Sequence, residues 1–437
     1  MKKGFVILLL ALAVVILISP GLIGKLAEQS MDENLEFAAT ESDVVTIESR
    51  GYDRSWFSSE GQHRVELREG ELYDSLYVLV QDNYDALPAL IIDTRIDHGL
   101  VPVTSMSREQ GSLAPGLGSA VSTLHLEFPD GSLVDLPGTI FSEMGLSGEL
   151  TSNFVLEPGS FSDGTDSIHW GNVDVVVSMS PSSNVIAFGG TIDEFVLADI
   201  VSELALGKLA FEGETEPSGF GFWLGETKAE IESVSAPSAL GTSTAGPFVF
   251  SERTWLEGDT VSAHGAAQLN DIPFAELGRA NILMEIAVEG VHAQSIGNIS
   301  RAMDDIGAYS SGDALMVALE DDLQQLLATG FKLHIEKLDV ELQGGTVSAA
   351  LNVDVAATDI DDFVWTSILM AADATFDASI PAELYDYFVS VDPSVSAAAG
   401  MGFLRRNGEV YEMRATLKNG LLEINGAPMP GLIPGLQ

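Results

Sequence analysis

From about residue 62 onward apolar side chains return at every second position, and that spacing commits the chain to β-structure. His63, Val65 and Leu67 alternate with Gln62, Arg64, Glu66 and Arg68. Leu124, Leu126 and Phe128 alternate with His125 and Glu127, and Val173, Val175, Val177 and Met179 line one face of another run. Ala229 and Ile231 interleave with Lys228, Glu230 and Glu232, and Ile282, Met284, Ile286 and Val288 mark a longer strand. Successive side chains of a strand point to opposite faces, so each run predicts a strand with one dry face and one wet face.

Turn chemistry agrees. Asp130-Gly131 separates two apolar runs and reads as a tight hairpin. Gly344-Gly345 joins 331–342 to 347–355, Asn407-Gly408 joins 400–406 to 410–417, and Asn419-Gly420 precedes a short strand at 421–425. The run FKLHIEKLDVEL carries a phase fault: Phe331, Leu333 and Ile335 share one phase, while Leu338, Val340 and Leu342 share the other. A slip of one residue would turn the apolar set to water, so a β-bulge is expected near Glu336-Lys337. Helical signals are few. Residues 313–328 place Leu315, Leu319, Leu323, Leu326 and Leu327 on one face, with Asp313 as N-cap and Gly330 just past the end. Residues 194–206 and 297–309 are weaker helices, and 381–389 reads as a short helix with Pro381 in its first turn.

The amino end is different. Between Lys3 and Lys25 runs GFVILLLALAVVILISPGLIG, Gly4 to Gly24, without a charge. That length suits a bilayer crossing, which takes roughly 20 residues. No clean small-x-small cleavage site follows Pro20, so the segment reads as an uncleaved signal anchor; a cleaved signal peptide is the alternative. Lys2 and Lys3 flank it on one side, while Glu28, Asp32, Glu33 and Glu36 follow on the other. The basic flank stays inside, which puts the bulk of the chain in the periplasm. The reading is therefore mainly β: an N-terminal transmembrane helix, then large antiparallel β-sheets with a few short helices. Its parts are an anchor at 1–24, a polar juxtamembrane helix or linker at 25–43, a β-rich domain at 44–240, and a second at 241–437 that holds helix 313–328.

Composition removes several chemistries. The chain has 20 basic against 65 acidic residues and a net charge of −45, with no basic patch, which excludes nucleic acid as a partner. Beyond Lys25 the balance is 17 basic against 65 acidic residues, near −48. Such a surface keeps a β-rich protein soluble and also repels anionic head groups. With no cysteine there is neither a disulfide nor a thiolate site. No two of the seven histidines lie within five residues, so no HExxH-type site exists, and no nucleophile elbow or P-loop appears. His63, His125 and His334 read as members of solvated strand faces. The acidic clusters Asp163–Asp166 and Asp359–Asp362 could offer oxygen ligands to calcium, but neither fits the EF-hand loop, and acidic pairs arise by chance in so acidic a chain. No cofactor, metal or catalytic residue is expected.

From Ser49 the chain reads SRGYDRSWFSSEG. Tyr52, Trp56 and Phe57 are large groups near a strand end, and Arg54 can stack on an aromatic face or pair with a carboxylate. They form either an aromatic plug closing one end of a β core or a contact site for a partner or lipid head groups. This Tyr-x-Arg-x-Trp-Phe-Ser-Ser pattern after an N-terminal anchor resembles the YdgA-like family of bacterial envelope proteins. Further stretches extend the likeness: Ile96-Asp97-His98-Gly99-Leu100-Val101-Pro102, His169-Trp170-Gly171, and Asn419 through Pro428. Asp53 and Ser55, beside the arginine, depart from the pattern. The resemblance brings no biochemical role with it.

The expected function is non-enzymatic: a protein held in the inner membrane by its N-terminal helix and acting as a binding scaffold for envelope proteins. The alternative is an apolar-ligand or lipid-binding protein with an open β groove, to which Ile282, Met284, Ile286 and Val288 would contribute. A reporter active only outside the cytoplasm, fused after residue 60, is expected to be strongly active. The protein should also stay in the membrane pellet after an alkaline wash, whereas a shorter soluble chain would show that the segment is cleaved.

Overall fold

The computed structural model describes residues 45–429 apart from 55–57, 71–72, 75–76, 78–84, 99–115, 146, 163–166, 181–183, 199–202, 239–240, 275–276, 305–311 and 361–367. The anchor segment and the 25–43 linker thus lie outside the described residues. Among the described residues no helix is long and apolar enough to cross a membrane. The chain is mainly β and antiparallel, with short helices, and it forms two compact units. One ends at Glu214 and regains Ile231–Ser243; the other comprises Thr215–Glu230 and the chain from Thr244.

The main sheet of the first unit opens as a meander of β1 (Val45–Arg54), β2 (Ser58–Leu67), β3 (Ala89–His98), β4 (Gly116–Glu127), β5 (Leu133–Gly145) and β6 (Leu150–Leu156). The chain then leaves for a second sheet with β7 (Gly159–Ser162) and β8 (Ser167–Trp170). It returns with β9 (Val173–Ser180), which pairs with β6, and β10 (Val185–Ile192). After β11 (Phe195–Ala198) and β12 (Glu203–Leu206), strands β13 (Leu209–Pro217) and β14 (Trp223–Ile231) carry the chain into the second unit and back. Strands β15 (Val234–Ser238) and β16 (Gly241–Ala245) complete the second sheet, in the order β16-β15-β12-β11-β8-β7.

Alternation builds the core between these sheets. Val65, Leu90, Leu126, Phe154 and Val173 from the main sheet pack with Ile168, Trp170 and Leu197 from the second, and Leu90 and Leu126 are fully buried. Each such side chain contributes roughly 1.5–3 kcal/mol by leaving water. Trp170 lies over Gly159, where a Cβ would collide with its ring, and its indole N–H donates to the Glu157 carbonyl at 2.9 Å. Glycine at 159 thus leaves room for the indole on the paired strand.

Two readings of this region are corrected. Residues 194–206 hold strands, not a helix, because Phe195 and Val196 pair in register with Trp170 and His169 of β8. That pairing satisfies the backbone and seats Leu197 in the core, so tertiary pairing overrides a helical pattern this short. His63 is buried on the same face as Val65, not solvated. Its position in the alternation, rather than its polarity, decides its side.

The second unit is one antiparallel sheet: β17 (Phe248–Glu257), β18 (Thr260–Pro273), β19 (Arg279–His292), β20 (Phe331–Leu342), β21 (Gly345–Val355), β22 (Ala372–Pro381), β24 (Val410–Lys418) and β25 (Leu421–Ile424) pair successively. The short β23 (Arg405–Asn407) also pairs with β24, and β26 (Ala427–Pro428) with β25. Helices α1 (Ala293–Asp304), α2 (Gly312–Ala318) and α3 (Glu320–Thr329) follow β19. Helix α4 (Ile368–Ala371) precedes β22, and α5 (Ala382–Val391) and α6 (Val395–Gly400) follow it.

The expected bulge is present. Ile335 faces Leu351 and Leu338 faces Ala349, so Glu336 and Lys337 stand together against Ala350. Both halves of β20 thereby keep their apolar residues on one face. The helix expected at 313–328 is divided at Leu319, which is buried, although its N–H still reaches the Leu315 carbonyl at 3.0 Å. The helix expected from residue 297 begins at Ala293. Pro381 stands just before α5, and Gly330 follows α3 with a positive φ of 78°. Helix α1 can approach the 218–222 turn because Gly297 has no side chain; a Cβ there would meet the Phe220 carbonyl oxygen far inside contact distance. Gly297→Ala should therefore lower the melting temperature, at a cost of about 1–3 kcal/mol, despite alanine's better helix propensity. An unchanged melting curve would show that this packing is not formed.

Candidate functional site

Ile282, Met284, Ile286 and Val288 all lie on one face of β19, and the register extends that face far beyond them. Ile286 stands opposite Gly265 on β18 and Ile335 on β20. The same row continues through Leu351, Phe376 and Ala415 to Ile424, and it starts at Glu252 on β17. A neighbouring row runs Phe250, Ala267, Met284, Leu338, Ala349, Ala378, Met413. Facing residues of paired strands point to the same side, so a nearly unbroken apolar surface crosses the sheet. The opposite face is polar: His334, Asn352 and Thr375 form one of its rows, with His334 Nδ1 2.8 Å from Asn352 Oδ1.

Helices cover the two margins of the apolar face. At one, Ala293 and Ile296 of α1 and Leu326 of α3 pack on Val261, Val288, Val291 and Phe331. At the other, Leu384 and Phe388 of α5 pack on Ile272, Val340, Leu342, Val347 and Ile380. The rows between belong to neither cluster. Ile286, Ile335, Leu351 and Phe376 are half-buried, and Met284 and Phe250 are 38% and 39% exposed, against 0% for Leu90 and Leu126 in the first unit. The first unit's apolar face carries a second sheet. Among the described residues, nothing forms a comparable layer over the middle of this one. Six strand intervals separate β17 from β24, which at about 4.8 Å each gives a trough roughly 29 Å long. A bilayer's hydrocarbon core is about 30 Å across two opposed chains; one acyl chain therefore fits within the trough with length to spare.

The aromatic motif of the sequence is only partly placed. Tyr52 and Arg54 lie at the end of β1, opposite Gly61 and Ser59. Their side chains, and all of Trp56 and Phe57, lie outside the described residues. The adjoining polar face of the main sheet holds an arrangement the motif did not announce. Arg50 grips Glu127 bidentately, at 3.0 and 2.8 Å, and Arg64 Nε adds a third bond at 2.8 Å while its guanidinium also pairs with Glu66. These bonds, Arg50's first and Arg64's second, hold the Glu127 carboxyl below its usual range against the smaller opposing effect of burial. Nearby, His125 sits between Asp93 and Asp135, at 3.2 and 2.8 Å, and Gln62 donates to Asp93 at 2.8 Å. Among the described residues no group of three His, Asp or Glu side chains is arranged to hold a metal ion.

A family model described as "Bacterial protein of unknown function (DUF945)" matches residues 1–431. The chain belongs to that family. No curated protein and no solved structure matches it. The DUF945 description names no activity.

The Glu127 cluster gives a pH test. A carboxylate whose pKa is depressed in the folded state stabilises the fold above its unfolded value, here 4.5, and that contribution disappears as pH falls through the folded value. Glu127→Gln should cost about 1 kcal/mol at pH 7, allowing for solvent screening. The gap between the two melting temperatures should close on acidification below pH 4.5. A gap independent of pH would mean the bonds contribute only by shape.

Proposed function

We propose that this protein is an envelope protein of the YdgA-like kind, anchored by a single N-terminal helix in the bacterial inner membrane, and that its periplasmic second unit binds the acyl chains of a lipid. One observation carries the lipid reading: the apolar face of that unit is closed by helices at both margins and half-exposed between them. An apolar surface of this extent left in contact with water is the usual mark of a binding surface. Its width suits a chain rather than a protein interface, because only about two rows, roughly 7 Å apart along the strands, lie between the covered margins. Binding of this kind needs no catalytic group.

The scaffold reading draws on the first unit. There the core is closed, and the outward face presents Arg50, Arg64, Glu127 and His125 in fixed hydrogen-bonded positions, as a contact surface for other envelope proteins would.

Native mass spectrometry of the full chain, extracted in a mild detergent, separates the two. The lipid reading expects phospholipid adducts on the wild type and their loss in Ile286→Glu, with the circular dichroism spectrum and melting temperature retained. If Ile286→Glu unfolds the protein, that face is a closed core. A wild-type mass free of adducts would leave the scaffold reading in its place.

A further inference from the structure

The polarity of the trough is uneven, and this bears on which lipid it takes. In the two open rows from β17 to β25, among the described residues, the register puts one charged side chain: Glu252, at the β17 end of the central row. It is exposed, and Thr254, two residues on along the same face, donates its hydroxyl to the carboxylate at 3.5 Å. The far end of the row is Ala415 and the buried Ile424. Among the described residues neither open row holds a lysine or arginine; Arg406 shares the face only at the covered margin, opposite Tyr411 and with its guanidinium 5.9 Å from that ring, while Lys337, Arg405 and Arg414 belong to the polar side with Asp377, to which Arg414 is bonded at 2.6 Å. The open rows thus have a polar, negative end and an apolar end, and they hold no cation to receive a phosphate.

We infer that the bound amphiphile lies across the strands with its acyl chains toward β24 and its head group beside Glu252, and that it is a zwitterionic phospholipid carrying an ammonium rather than an anionic one. This rests on the lipid-binding reading and sharpens it. An ammonium at the head can pair with the Glu252 carboxylate, whereas an anionic head would face it across a short distance with nothing to neutralise either charge. The protein's overall negative charge acts in the same direction, but from afar and under screening by salt. Glu252 is the local, directional part.

The test offers the full chain, in a mild detergent, equimolar phosphatidylethanolamine and phosphatidylglycerol with identical acyl chains, and compares their adducts by native mass spectrometry. The wild type should favour phosphatidylethanolamine by about fivefold, the scale of one exposed charge pair. Glu252→Gln should bring the ratio close to one, and Glu252→Lys should reverse the preference. Equal adducts on the wild type, or a preference that Glu252→Gln leaves unchanged, would overturn the assignment to Glu252 while the lipid-binding reading stands. Absence of both adducts would overturn the lipid-binding reading itself.

Discussion

A strand that alternates apolar and polar side chains gives its sheet one face that water does not solvate, and everything else in this molecule follows from how that face is covered. In the first unit the answer is another sheet. Strands β7, β8, β11, β12, β15 and β16 lie over the meander, and Leu90, Leu126, Val65 and Ile168 are almost wholly shielded from solvent. In the second unit the cover is helical and incomplete. Helices α1 and α3 close one margin and α5 the other, and the rows through Met284 and Ile286 are left half-open. The same patterning therefore yields a closed core in one unit and a half-exposed apolar face in the other.

Keeping so wide a face continuous requires correction where strands drift out of phase. Glu336 and Lys337 standing together opposite Ala350 reset β20, so that Leu333 and Ile335 on one side of the bulge and Leu338 and Val340 on the other all face the trough. Without that extra residue Leu338 would join the charged side with Asp377 and Arg414. Similar shifts occur on β18 between Val261 and Ala263 and between Leu269 and Ile272. Bulges also bend and coil a sheet.

What the sequence disclosed was local. Alternation, Asp130-Gly131, Asn419-Gly420 and the phase fault in 331–342 each depend on neighbours along the chain, and each corresponds to a strand, turn or bulge in the structure. What it hid was pairing at a distance. Nothing in residues 194–206 says that Val196 will meet His169, and nothing in residues 279–292 says that Ile286 will share a row with Phe376. The four trough residues picked from one strand were legible; Leu338, Ile335, Leu351 and Phe376 were not, because membership depends on register across five strands. The Glu127 cluster was invisible for the same reason, since Arg50, Arg64 and Glu127 come from three strands.

The central claim is that the middle of the second unit's apolar face is open. The chain contains no cysteine, so a single thiol can be placed at will and its reaction with a water-soluble maleimide timed in the full-length protein. The account predicts that Met284→Cys and Leu351→Cys react within a small factor of an exposed reference, Ser251→Cys. Leu90→Cys should stay unreactive in the folded protein, and phospholipid should protect the two trough thiols without slowing the reference. If Met284→Cys and Leu351→Cys are as inert as Leu90→Cys without lipid, the face is a closed core and the account is contradicted.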